Sequence, residues 1–419
     1  MSYLIGILGL LILVLVHELG HFLAAKGTGM RALRFYVGFP PPVVRKTVGD
    51  TEYGIGAIPL GGYVKIPGML RPDEGDLWEV GDLLDRSEQL SSEQASSIGE
   101  AHDAVRTDLA RGRYYDAAVR LPQLEHALEA AAGQLGDREQ ARSGRAVRRV
   151  SEALDPRAYW RAAPWRRVTV IAAGPLTNIL VAFLLLVVLA VAGMPQVLHS
   201  AEPSRTVAAV RAGTPADRAG LEQGDVIVAI DGRPTRDFVD IRDAIAGSKG
   251  TPIDLTVRRD GVDRELRNIT PQLQQGRYVI GFVASVPPPR STSVLHAPGA
   301  ALDEMWTMVT ASVQGVQEQG TKSVSSPVGI VKGSSTYAQA GVEPYLWLLA
   351  YLSLSLGVFN LLPFLPLDGG HLLMVGIEKL RGRPVPRSAF ERVSAIGIAL
   401  VLLVFLVGLN NDLFGPQPR

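Results

Sequence analysis

Apolar residues are gathered along the 419-residue chain into four long windows rather than the short alternations of a soluble domain. The first runs from about Tyr3 to Ala25, the second from Val168 to Ala192, the third from Tyr345 to about Ile377 and the fourth from about Ala395 to Leu409. A bilayer core is crossed by ~20 predominantly apolar residues in a helix, so each window predicts a membrane-spanning helix, the fourth once it extends upstream. The third is interrupted by NLLPFLPLDGG, and the prolines in that run remove backbone donors, so it predicts a broken membrane helix. The first lacks a basic leader and a small-residue cleavage site and carries HELGH inside its apolar run, so it is expected to be retained rather than removed as a secretory signal.

The stretches between the windows differ in kind. Residues 71–160 hold twelve Arg, no Lys and eighteen acidic residues, a net charge of −6. Runs such as YYDAAVRLPQLEHALEAAAGQL and REQARSGRAVRRVSEAL predict amphipathic helices in a hairpin or bundle, a solvated accessory module. Residues 195–290 instead contain short β-rich runs, Val226–Ile230 and Ile253–Arg258, bounded by Gly-Asp and Asp-Gly turns, with one helical stretch at Phe238–Ala246. Beyond VPPPR, within 291–343, Leu302, Met305, Trp306, Val309, Val313 and Val316 mark one face of a helix that packs or lies on a membrane surface.

Charge orients this pattern. Lys26, Arg31, Arg34, Arg45 and Lys46 follow the first window, Arg161, Arg166 and Arg167 precede the second, and Arg381, Arg383, Arg387 and Arg392 separate the third from the fourth. With four spans and both termini outside, all three clusters fall on the cytoplasmic side, and the segment from about Met194 to Glu343 is extracytoplasmic. The formal net charge is only +1, so no global basic field points to nucleic acid. The absence of cysteine excludes disulfides, thiol nucleophiles and thiolate metal sites, leaving His, Asp and Glu to hold any metal.

Those residues occur inside the apolar windows, where ionisable groups are costly and therefore point to function. His17 and His21 of HELGH are four apart, so on a helix both imidazoles face the same way and can share one ion. Glu18, beside the first, is placed to take a proton from an attacking water. Two histidines leave a catalytic metal underdetermined, and Asp368, the only acidic residue from Tyr345 to Ile377, is the candidate third ligand. Pro363 and Pro366 interrupt the helix before it, while Gly369 and Gly370 allow close approach to the first helix. Asn360 is open to two roles, binding a substrate backbone or oxyanion, or capping the helix break. His371 is expected to support its surroundings rather than bind metal.

These motifs resemble the site-2 proteases, intramembrane zinc metalloproteases with HExxH on one transmembrane helix and LDG on another. HELGH at His17–His21, GIGAIPLGGYVKIPG at Gly54–Gly68, AAGPLTNI at Ala172–Ile179 and NLLPFLPLDGG at Asn360–Gly370 appear in the order of the bacterial members, and GLEQGDVIVAIDG at Gly220–Gly232 resembles their PDZ domain. The likeness covers most of the chain outside Arg71–Trp160, where bacterial members usually have a much shorter connection. NLLPFLPLDG also departs slightly from the commoner Asn-x-x-Pro-x-Pro-x-Leu-Asp-Gly pattern, though the Asn-to-Asp interval is kept.

The resemblance implies a polytopic α-helical membrane protein of about four transmembrane helices, with a membrane-associated β element, an extracytoplasmic α+β PDZ domain and a helical cytoplasmic insertion. Its expected segments are the first helix with HELGH at 1–30, the β-hairpin or loop region at 31–70, the insertion at 71–160 and the second helix at 161–194. The PDZ domain at 195–290, the linker with its amphipathic helix at 291–343, the broken helix at 344–380 and the last helix at 390–412 complete them. It implies Zn2+ on His17, His21 and Asp368, Glu18 as general base, and substrate contacts from Asn360, Pro363, Gly61 and Gly62. The GIGAIPLGGYV element would offer an edge strand to an unwound substrate. Expected partners are single-span membrane proteins in the bacterial plasma membrane, such as anti-sigma factors shortened by another protease or signal-peptide remnants, together with a peptide at the PDZ domain, the lipid bilayer and no nucleic acid. Two rivals are an inactive PDZ-bearing scaffold that binds peptides and a metal transporter. The first leaves the intramembrane HELGH and Asp368 without a purpose, and the second lacks a polar path through several spans.

Overall fold

The computed structural model describes residues 2–86, 90–192, 204–274, 277–285 and 292–414. They form two compact units, one of residues 1–184 and 308–419, the other of residues 185–307. The edges of the expected PDZ segment, 195–203 and 286–290, lie outside the described residues, as does residue 291 at the start of the expected linker.

The first unit begins with α1 (Ser2–Gly27), which takes up the whole first apolar window. Two 15-residue strands follow, β1 (Arg34–Val48) and β2 (Thr51–Lys65). Their register is not that of a simple hairpin: Val44–Val48 pair back onto Thr51–Ile55, while Arg34–Val37 pair with Glu52–Ile55 on one side and with Gly62–Lys65 on the other. The chain bends between these rows at Gly38 and Gly61, whose φ of 86° and 116° are conformations that glycine alone adopts without strain. Among the described residues, the strand partners of Gly62–Lys65 therefore lie on one side only.

The insertion folds as four helices, α2 (Trp78–Arg86), α3 (Ser92–Ala110), α4 (Tyr114–Ala130) and α5 (Asp137–Leu154). Their apolar faces close on a core of their own that includes Val80, Ile98, Val105, Leu124 and Val147. Ser91 and Gln94 cap the start of α3 reciprocally, satisfying donors that a helix end leaves unpaired. Buried Asp108 pairs with Arg113 at 2.5 Å. The bundle expected from the amphipathic runs is present. The chain then enters α6 (Pro164–Ala192), with Pro164 at its first position, where no intrahelical donor is lost.

The second unit carries β3 (Val207–Val210), α7 (Pro215–Arg218), β4 (Val226–Ile230), β5 (Arg233–Pro234), α8 (Phe238–Gly247), β6 (Ile253–Arg259), β7 (Val262–Ile269), β8 (Gln272–Gln274), β9 (Arg277–Val279) and β10 (Phe282–Ala284). The sheets have the orders β5-β4-β6-β7, β10-β3 and β8-β9, around a core that includes Ile227, Ile241, Leu255, Ile269 and Ile280. The Asp-Gly dipeptides read as turns are turns: Asp231-Gly232 and Asp260-Gly261 have φ of 48° and 73°, and 53° and 81°, as tight hairpins require. Asp225 is buried beside Arg259, whose Nε lies 2.7 Å from its carboxylate. Burial alone would raise that carboxyl, but the guanidinium and the Glu222 amide outweigh it and hold it below the usual range.

The amphipathic stripe lies on α9 (Ala297–Gln319), with Leu302, Trp306, Val313 and Val316 exposed. The first unit is completed by α10 (Pro327–Ala340), α11 (Val342–Asn360), α12 (Asp368–Arg381) and α13 (Arg387–Phe414). The third window is thus two helices separated by residues 361–367. Gly369 makes the break compact, since a Cβ there would overlap the Leu361 and Leu362 carbonyls. α13 starts well before the apolar window near Ala395, because Arg387–Arg392 continue the helix in polar form. Near its other end, Asp412 accepts from the Ser326 and Gly329 amides at the start of α10, at 2.6 and 3.1 Å.

Among the described residues, α1, α6, α11 and α13 are long and apolar enough to cross a membrane, with mean hydropathy between 1.4 and 2.6. Small residues let them approach. Gly20 of α1 lies against the Ala173 carbonyl of α6, Gly357 of α11 lies against the Pro175 carbonyl, and Ser353 donates to the Asn178 carbonyl at 2.8 Å.

Candidate metal centre

His17 and His21 stand one turn apart on α1, with their Nε2 atoms 3.1 Å apart. The His21 ring is oriented from α6. Its Nδ1–H donates to the Val170 carbonyl at 2.8 Å, which leaves the lone pair on Nε2. One turn further along α6, Gly174 lies so close that any Cβ would overlap the imidazole, which gives the glycine of AAGPLTNI a steric reason.

Asp368 opens α12, where unpaired helix amides favour a carboxylate. Its Oδ2 lies 3.1 Å from His17 Nε2 and 3.3 Å from His21 Nε2, buried and without a hydrogen-bond donor. Three acceptor atoms with these separations suit a tetrahedral zinc ion, whose ligand atoms about 2.0–2.1 Å from the metal are about 3.3 Å from each other. Among the described residues these are the three metal-ligating side chains that converge. The residues fit the ion.

α12 is tied to α6 at its other end. Arg167 donates to Glu378 at 2.7 Å, and both side chains are largely buried. Glu378 also accepts from the Val385 amide, and the Tyr159 ring lies 5.0 Å from the Arg167 guanidinium. The N-terminal turns of α6 therefore touch the supports of two candidate ligands, His21 directly and Asp368 through its helix.

A cavity of about 530 Å3 opens beside the triad. α1 contributes Val14, His17, Glu18 and His21; Tyr63, Val64 and Lys65 of β2 form a wall with Ile66; Leu356 and Asn360 come from α11. Glu18 reaches the cavity past Gly62, where a Cβ would stand 2.9 Å from Glu18 Cγ. The bonds that close the end of α11 come from the Leu361 amide to the Gly357 and Val358 carbonyls, so the capping alternative for Asn360 finds no bond here, while its place in the cavity wall suits the substrate role.

Pro363 does not line the cavity, and Pro366 of the same break does. Gly61 and Gly62 lie behind the wall and against α1, so the cavity face is made by the residues after them. His371 stands against Phe390 at 5.4 Å and is not one of the converging ligands. The sequence reading covers Tyr63 and Val64 only as part of the GIGAIPLGGYV edge strand and misses Lys65, whose only signal was its position just after that run. It also missed Val170, which acts through a carbonyl that any residue supplies.

An HExxH pair on an apolar helix, closed by a carboxylate from a broken second helix, defines a membrane metallopeptidase. The profile of peptidase family M50 matches residues 5–404, and the chain belongs to that family, the site-2 proteases. It is 29% identical over 426 residues to the regulator of sigma-W protease RasP of Bacillus subtilis, covering 96% of this chain and 95% of that one. It is 32% identical over 417 residues to the zinc metalloprotease RasP of Geobacillus kaustophilus, with 96% and 95% covered, and 30% identical over 436 residues to the metalloprotease MmpA of Caulobacter vibrioides, with 96% and 92% covered. The chain is an integral membrane zinc metalloprotease.

Proposed function

We propose that this protease cleaves membrane-spanning segments of other membrane proteins, with His17, His21 and Asp368 holding the zinc and Glu18 as general base. The observation that carries the assignment is the convergence of the three ligand atoms at 3.1–3.3 Å beside a cavity that Glu18 also lines. Zinc supplies a Lewis acid that polarises the scissile carbonyl and activates water. Glu18 takes the proton as the water oxygen adds to the carbonyl carbon, then delivers it to the departing nitrogen as the C–N bond breaks. Asn360 offers an amide donor to the carbonyl oxygen as it gains charge.

A helical substrate shields its peptide bonds with its own hydrogen bonds and must unwind first. The one-sided row Gly62–Lys65 supports its capture as an added strand, because that edge offers backbone partners in place of those lost. The name of the Bacillus relative, regulator of sigma-W protease, favours a sigma-factor regulator as substrate. The reading of 195–290 as a PDZ domain rests on its compact β-rich core and on β10, which among the described residues pairs with β3 alone while Phe282 stands 6.2 Å from Phe238 of α8. Its extracytoplasmic side rests on the basic groups at the ends of the spans. A peptide added to β10 would lie along α8.

Glu18→Gln is expected to lower cleavage of a co-expressed single-span substrate by about 10²-fold or more while leaving bound zinc unchanged. Full activity in that variant removes the general-base assignment. Failure of the unaltered protein to cut such substrates would favour the peptide-binding scaffold.

A further inference from the structure

The insertion takes no part in the chemistry above, yet it is joined to the end of the strand beside the metal ligands. Lys65, the last residue of β2, lines the cavity, and its Nζ lies 2.5 Å from Glu152 Oε2 on α5. Both side chains are largely buried, at 28% and 17% exposure, so the pair is shielded from the screening that makes surface ion pairs weak. Immediately beyond Lys65, the Pro67 and Gly68 carbonyls accept from the Tyr159 and Trp160 amides at 2.9 and 3.1 Å. Gly68, with φ of 71°, lies against Trp160, and a Cβ there would stand 2.8 Å from Ala158 Cβ. Trp160 is itself bonded to the last turn of α5 through Nε1 and the Ala153 carbonyl at 2.8 Å.

The other end of the row is held by α1, where a Cβ on Gly61 would stand 3.0 Å from Val14 Cγ1. The row is thus pinned at one end by the ligand-bearing helix and at the other by the insertion. Asp76 and Asp73, where the chain enters the insertion, pair with Arg387 at the start of α13 at 2.7 and 3.3 Å. α13 in turn backs the helix break, where Gly397 lies against the Leu365 carbonyl. A four-helix body with its own core therefore bridges two walls of the cavity.

We propose that the insertion is a brace for substrate binding and that Glu152 is its positioning residue, holding Lys65 and the row Gly62–Lys65 at the spacing from the ligands that an added peptide strand requires. The proposal rests on the reading of that row as the substrate strand. Loss of the Glu152 carboxylate loosens the Lys65 end of the row and touches none of His17, His21 and Asp368, while the Gly62 end, which lies against Glu18, stays held by α1, so the change falls on capture before chemistry.

The chain contains no cysteine, which permits a direct test. Cysteines are placed at Val64 and along the membrane segment of a single-span substrate, in full-length protein carrying Glu18→Gln so that the substrate stays intact. Disulfide cross-linking is then compared with Glu152 unchanged, Glu152→Gln and Glu152→Asp. The expected result is efficient cross-linking with Glu152 in place, a fall of about three- to tenfold for Glu152→Gln and partial recovery for Glu152→Asp. In the otherwise unaltered enzyme, Glu152→Gln should raise KM by a similar factor with kcat and bound zinc unchanged.

Equal cross-linking and equal KM would overturn the brace. A fall in zinc content or kcat without a change in KM would also overturn it, by making Glu152 a folding residue. No cross-link even with Glu152 present would instead defeat the substrate-strand reading on which the brace rests. If Glu152→Gln does not accumulate, Asp76→Asn loosens the insertion at its α13 anchor and is expected to raise KM; an unchanged KM there overturns the proposal.

Discussion

At Gly174 the backbone of α6 passes against the face of His21, and four residues earlier the Val170 carbonyl accepts from the same ring. The carbonyl selects the tautomer and the glycine leaves room for the ring to turn its Nε2 toward Asp368. Partners of this kind typically change metal affinity 10- to 100-fold when lost. Gly174→Ala is therefore expected to weaken zinc binding by about 10-fold or more in a chelator competition, with the protein still inserted in the membrane. An unchanged zinc affinity would show that α1 holds the ring without help. Two of the three candidate ligands were legible from a four-residue interval, and the third from being the lone acid in its window. Val170 was not, because a backbone carbonyl leaves no mark on residue identity.

The first, second and fourth apolar runs were legible as elements because each maps onto one helix whatever its neighbours do, and the third was legible as a broken one from its prolines. The β1 and β2 rows were less so. Pro40, Pro41 and Pro42 lie within β1 at the bend between its two halves, where ladder donors are least needed. Which half pairs with which depends on register across distant residues, and no local pattern encodes it. The Arg167–Glu378 bond was likewise invisible, since it joins two turns 211 positions apart. It predicts a charge-pair dependence for α12. Arg167→Glu alone places two carboxylates together in a largely buried site and is expected to lower zinc retention and cleavage together. Combining it with Glu378→Arg restores opposite charges and should recover a measurable part of both. No recovery in the double variant would mean that Arg167 acts through Tyr159 rather than through Glu378.

For the whole chain, the near-zero net charge conceals an arrangement that bears on topology. Lys26 lies in the last turn of α1 and Arg31 follows it, Arg161, Arg166 and Arg167 surround the start of α6, and Arg381, Arg383 and Arg387 run from the last residue of α12 to the first of α13. Each group is close to an end of a candidate span, where Lys and Arg weigh most in setting orientation. Four spans with these groups on one side put both chain ends on the other. The acidic insertion then shares the side of the basic groups, in keeping with its ion pairs from Arg31, Lys65 and Arg387. A reporter fused near Ala130, at the end of α4, should accordingly be active only in its cytoplasmic form. One fused after Gly250, in the turn past α8, should be active only in its extracytoplasmic form. The same side for both would require an even number of crossings between them, and since α6 is the single candidate span in that interval among the described residues, it would remove α6 as a membrane helix and with it the four-span arrangement.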